Sequence, residues 1–178
     1  MPYARKRRAL IFGRFQPFHK GHLAITKWAI EKGFEEVVFL VGMASENYTP
    51  RNPFTAGERI EMIRLSLEDE GLGVERFITA TIRTLETSIG SVYYVLSYVP
   101  RVDVILTRNP VIGKIFEDAG VGVVRPPVFN REEWRGERIR ELMAAGDPRW
   151  MDTVTPSTAE FILSIGGIER LRHSLSKD

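Results

Sequence analysis

Residues 9–33 read "ALIFGRFQPFHKGHLAITKWAIEKG". The opening apolar run, 9–13, has the length and composition of a buried strand. The closing part places Leu23, Ile25, Trp28, Ala29 and Ile30 near helical spacing and stops at Gly33, which predicts a helix over 21–33. Between them sit two of the chain's three histidines, His19 and His22, three residues apart around Gly21. A strand that passes directly into a helix is the first half of an α/β unit.

The rest of the chain repeats that alternation. Strands are expected over 36–42, 76–82, 102–107 and 121–125. Helices are expected over 55–71, 91–99, 110–120 and 136–146. Two more helical pieces follow, broken at Gly166 and Gly167. Thr55 and Glu58 have the spacing of a capping box. Runs such as "VVFLV" and "VILT" lack polar alternation, as strands covered on both faces do. The expectation is an α/β fold: a Rossmann-like, doubly wound, mainly parallel sheet of about five strands with C-terminal helices. The expected organisation is a basic flexible tail over 1–8 and a single domain over 9–178.

Composition narrows the chemistry. The chain has 178 residues and no cysteine, which excludes disulfides, thiolate metal sites and a cysteine nucleophile. That suits a cytoplasmic protein. It has no apolar run long enough to span a bilayer, so no membrane partner is expected. Net charge is +2, with 19 arginines against 6 lysines. Arginine suits bidentate phosphate contacts, although compositional bias or a heat-adapted host is the preferred account of such a ratio on composition alone. The run "RKRR" at 5–8 could meet a nucleic acid, but such a local charge usually marks a solvated tail, and no nucleic-acid partner is expected.

In doubly wound folds ligands sit at the carboxyl ends of the strands. A helix that begins near His19 turns its free N–H groups and positive dipole end towards that crevice, so an anion is the expected ligand. His19 and His22 share one helix face. Gly21 allows close approach, and Arg14 adds a fixed charge on the strand side. Two histidines are also half of a metal site, but no cysteine is available and His173 lies far along the chain. Phosphate binding is the preferred reading.

The stretch "GRFQPFHKGH" resembles the H-x-G-H signature of the nucleotidylyltransferase superfamily, and its wider context resembles the archaeal type of nicotinamide-mononucleotide adenylyltransferase. "NPFTAGER" (52–59), "GMAS" (42–45), "TRNPVI" (107–112), "RPPVF" (125–129), "GERIRELM" (136–143) and "GGIERLRH" (166–173) resemble further blocks of that family in order. The resemblance implies transfer of AMP from ATP to nicotinamide mononucleotide, with Mg²⁺ held mainly by ATP phosphates and no protein metal ligand. It also implies a homo-oligomer. It assigns catalysis to His19, His22 and Arg14, and the wider ATP site to Gly13, Phe15, Gly21, Arg51, Asn109, Gly136 and Arg140. Ser88, Ser91 and Tyr93 fall in the acceptor region.

Plainer readings stand beside these. Arg51 could be a solvated loop residue. Arg140 could pair with Glu137 or Glu141 on a helix surface. Trp28 and Trp134 read as packing residues. The chain also departs from the family. Arg135 and Glu137 occupy positions where the family usually has Ser or Thr. Ser88 and Ser91 replace an asparagine and the tryptophan that stacks on nicotinamide. The alternatives are therefore the same fold acting on another phosphorylated acceptor, or a nucleotide sensor without turnover.

Overall fold

The computed structural model describes residues 5–83 and 89–176. Five strands form one sheet: β1 (Arg8–Gly13), β2 (Glu36–Val41), β3 (Phe77–Thr81), β4 (Val104–Leu106) and β5 (Gly122–Val124). Their order is β3-β2-β1-β4-β5 and every pairing is parallel. The helices are α1 (Lys20–Glu31), α2 (Ala56–Asp69), α3 (Ile89–Leu96), α4 (Pro110–Asp118), α5 (Gly136–Ala145), α6 (Pro156–Ser164) and α7 (Gly167–Leu175). The expected Rossmann-like architecture is therefore present, with β4 and β5 shorter than the sequence suggests.

Strand side chains alternate between two apolar layers. Ala9, Ile11, Val37, Phe39 and Val41 meet Leu23 and Ala29 of α1, Met62 and Ile63 of α2, and residues of α5, α6 and α7. Leu10, Val38, Leu40 and Ile105 meet Val92 and Val95 of α3 and Phe116 of α4. Both faces of β2 are covered, which explains its uninterrupted apolar run. The chain leaves β1 towards β2 in one direction and towards β4 in the other, so the strand order reverses beside β1. That reversal opens a crevice at the carboxyl end of β1, where the histidine motif lies.

Local signals act as read at two places. Thr55 caps α2: its hydroxyl accepts from the Glu58 amide at 3.2 Å, and the Glu58 carboxylate accepts from the Thr55 amide at 2.8 Å. Gly166 ends the α6 turn in the left-handed region (φ 63°). Gly167 is needed for space, because a Cβ there would lie 2.8 Å from the Phe54 ring and 2.9 Å from the Ile162 carbonyl.

Of the basic segment 1–8, residues 5–8 are tied to the sheet, and residues 1–4 lie outside the described residues. Arg8 opens β1. Arg5 pairs with Asp103, Lys6 with Glu36 at 2.7 Å, and Arg8 with Glu36. The Arg7 amide donates to Glu35 at 2.9 Å, and its guanidinium covers the Phe34 ring at 4.3 Å. Carboxylates at the amino ends of β2 and β4 hold the segment, a long-range contact that composition does not reveal. No helix among the described residues is long and apolar enough to cross a membrane.

Candidate active site

The histidine pair is itself the start of α1. His19 is the N-cap in extended backbone, and its Nδ1 accepts from the Gly21 amide at 3.1 Å. His22 reaches back, and its Nδ1 accepts from the His19 amide at 3.3 Å. This is a capping box built from two imidazoles. The rings stack with centroids 3.8 Å apart. Because each Nδ1 accepts, each neutral ring carries its proton on Nε2.

Gly21 is required by the same geometry. A Cβ there would lie 2.9 Å from His19 Cε1 and 3.2 Å from the Trp134 carbonyl. Burial pushes the proton affinity of both rings down. His19 falls well below the usual histidine range through burial first, then through His22 and Arg140. Burial alone pushes His22 down to about 3. Near neutral pH the pair is uncharged and keeps two N–H donors.

Two cavities flank the pair. One of 160 Å³ is lined by Arg14, Gln16, His19, His22, Glu137 and Arg140, together with Phe15 and Gly136. The other, of 180 Å³, is more apolar; Ile25, Arg108, Pro127, Phe129 and Trp134 face it with the histidines and Gly21. A wider depression joins Arg14 to Glu46, Thr49, Arg51 and Asn52. Arg14 thus stands at the junction of two of these spaces. Its proton affinity is lowered by burial first and then by Arg51. That of Arg140 is lowered by burial first and then by Arg14. Three guanidinium groups are close enough to feel one another, which favours an anion between them.

Scaffolding explains why the loop holds this shape. Gln16 is almost fully buried; its amide donates to the Phe54 carbonyl at 2.9 Å and accepts from the Phe54 amide at 3.0 Å. Arg140 donates to the Gln16 carbonyl at 2.8 Å rather than pairing with Glu137 or Glu141. A Cβ at Gly136 would lie 3.1 Å from that guanidinium and 3.3 Å from the Gln16 carbonyl. Phe15 is held at φ 52°, with its ring edge-on to His22 at 4.9 Å and to Phe39 at 6.0 Å. Gly13 ends β1, and its carbonyl accepts from the Gly42 amide at 2.8 Å.

Other sequence-predicted residues lie elsewhere. Asn109 lines neither histidine cavity; its side chain caps α4 by accepting from the Val111 and Ile112 amides at 2.9 and 3.3 Å. Arg51 is exposed on the depression beside Arg14. Ser91 is buried in the first turn of α3, and Tyr93 is exposed on that helix. Neither lines the cavities above, and Ser88 lies outside the described residues. Arg135 precedes α5 without capping it, while Glu137 faces the smaller histidine cavity. Trp28 packs on the core as read, whereas Trp134 also borders the apolar cavity. The scaffold roles of Gln16 and Arg59 have no signal of their own in the sequence, where "TAGER" reads partly as a helix start and partly as a block of the family.

Residues 10–142 match the cytidylyltransferase-like family. A protein of Aeropyrum pernix, whose name gives no activity, is 78% identical over 96% of this chain and 99% of its own. The nicotinamide-nucleotide adenylyltransferase of Ignicoccus hospitalis is 44% identical over 96% of this chain and 99% of its own. Among solved structures, a bifunctional NMN adenylyltransferase/ADP ribose pyrophosphatase from Francisella tularensis superposes with a TM-score of 0.75 at 14% identity, over 95% of this chain. This chain spans 53% of that longer one, and the likeness there is one of fold. The fold agrees with these matches: the chain belongs to the cytidylyltransferase-like family of nucleotidyltransferases.

Proposed function

We propose that this protein transfers the AMP group of ATP to nicotinamide mononucleotide, giving NAD and pyrophosphate. The observation that carries the reading is the pair of neutral imidazoles, each with its proton on Nε2, beside the Arg14 and Arg140 guanidinium groups. The 44% identity to an enzyme named for this reaction supports the choice of acceptor.

An oxygen of the acceptor's 5′-phosphate attacks the α-phosphorus of ATP. The new O–P bond forms as the bond from that phosphorus to the pyrophosphate oxygen breaks. The attacking phosphate is already deprotonated, so no protein base is needed. The work left to the protein is positioning and charge stabilisation. His19 and His22 donate from Nε2 to phosphate oxygens as charge builds on them. Arg14 grips the phosphates from the β1 side, Arg51 from the β2 loop and Arg140 from α5. The α5 N-terminus adds backbone N–H groups. The apolar cavity by Trp134 and Phe129 suits the adenine end. Asn109 acts through the α4 start that it caps.

Among the described residues no three His, Asp or Glu side chains gather to hold a metal. Mg²⁺ would be held mainly through ATP phosphate oxygens, with Glu137 at the cavity edge, and would supply charge neutralisation. Copies of the chain would assemble as a homo-oligomer in the cytoplasm, which sedimentation and fractionation test.

A second reading keeps the transfer and changes the acceptor. It is favoured by Ser91, which is small and buried where a stacking ring would be needed. Mass analysis of products separates the two. Protein, ATP and Mg²⁺ are incubated with nicotinamide mononucleotide, nicotinic acid mononucleotide, flavin mononucleotide or phosphopantetheine. NAD as the main product supports the first reading. An AMP adduct of another acceptor only would move the substrate, and no adduct with pyrophosphate unreleased would leave a sensor.

A further inference from the structure

Arg59 is fully buried, with 0% of its surface exposed, and forms no ion pair among the described residues. Its donors go to four backbone carbonyls on three segments. Nε reaches the Thr55 carbonyl at 3.1 Å, Nη1 those of Arg14 at 2.8 Å and Gly42 at 2.7 Å, and Nη2 that of Met43 at 3.1 Å. Burying a cation without a carboxylate partner is costly, and a neutral group could close the same gap between α2 and the sheet. The contacts explain the choice of arginine. Arg14 ends one tie, and Gly42 and Met43 begin the loop that leads to Arg51. Only the planar five-donor guanidinium can span both. Burial first, and then the neighbouring Arg14, push the Arg59 guanidinium down to about 10.

We propose that Arg59 is a positioning residue of the phosphate site. Through the Arg14, Gly42 and Met43 carbonyls it fixes the two loops that carry Arg14 and Arg51, which border one depression. The inference rests on the adenylyl-transfer reading only in taking ATP as the ligand.

The test is a double-mutant cycle on ligand affinity, which needs no acceptor. ATP–Mg²⁺ and tripolyphosphate are titrated calorimetrically into the wild type, Arg59→Lys, Arg14→Ala and the double variant, with thermal unfolding run on each. Lysine keeps the charge but cannot make the four contacts. Arg59→Lys is expected to fold and to bind ATP about tenfold more weakly, the scale of one lost charge-assisted hydrogen bond. In the Arg14→Ala background the same change is expected to cost less, about threefold, because only the loop that carries Arg51 is then left to position.

Unchanged affinity in Arg59→Lys, or an equal loss in both backgrounds, would overturn the inference and leave Arg59 a purely structural tie. Should wild type bind tripolyphosphate but not ATP, the functional reading fails while the cycle on tripolyphosphate still decides this one. Binding of neither ligand overturns both. If Arg59→Lys does not fold, the unmutated protein carries the test by NMR. The Arg59 Nε–H signal should shift on ATP addition, and an unmoved signal overturns the proposal.

Discussion

Lowering the pH from 7 to 5 should destabilise the protein through the histidine capping box. His22 would take up its proton near pH 6.5 in the unfolded chain, but only at about 3 in the folded one. The folded affinity is depressed, so the unfolded state binds more protons wherever the two differ. Stability is therefore lost as pH falls below about 6.5, and the loss is complete below the folded value. Linkage puts the cost at pH 5 at about 2 kcal/mol for this one ring. Partial openness to the cavity trims it to about 1–2 kcal/mol. His19, stacked at 3.8 Å and also depressed, titrates with it as a pair and adds to the slope. The assay is denaturant unfolding at pH 5, 6 and 7 for the wild type and His22→Gln. Glutamine does not titrate, and its carbonyl can still accept from the His19 amide. The carboxylates are common to both proteins. The wild type should lose about 1–2 kcal/mol more than the variant between pH 7 and pH 5. Parallel pH profiles would refute the claim that the fold holds His22 neutral.

Three further outcomes follow from the same geometry. Gly21→Ala forces His19 off the α1 cap, costing about 1 kcal/mol and lowering turnover more than tenfold or so, read by unfolding and pyrophosphate release. Gln16→Leu strands the Phe54 amide and carbonyl and should cost about 2–4 kcal/mol in urea unfolding. Thr55→Ala removes a helix cap and should cost about 1 kcal/mol with kcat within about twofold of wild type; a large kcat loss would mean that α2 does more than support the site.

The features legible in the sequence are local ones. The apolar run 9–13 against the helical spacing of Leu23 to Ile30 fixes a strand–helix unit, and Thr55 with Glu58 fixes where α2 starts. Gly21 between the histidines was readable as a close approach, although not that the His19 ring itself fills the space. Features that depend on distant backbone were hidden. Gln16 grips Phe54, Arg140 reaches the Gln16 carbonyl and Arg59 gathers carbonyls of Arg14, Gly42 and Met43. Such ties leave no periodic trace, because the carbonyl exists at every residue whatever its side chain. The ties of Arg5 to Arg8 were hidden for a related reason: their partners Glu35, Glu36 and Asp103 lie at the amino ends of other strands. Asn109, read as an ATP contact, has its side-chain oxygen committed to α4.

The most direct test of the account is the rate of NAD formation from ATP, Mg²⁺ and nicotinamide mononucleotide by wild type, His19→Asn and His22→Ala, each checked for fold. The account predicts NAD from the wild type and a loss in kcat of about 100-fold or more in each variant, as removal of a donor to developing charge produces. Wild-type rates in folded His22→Ala would contradict it, since the two Nε2 donors could not then be what drives the transfer.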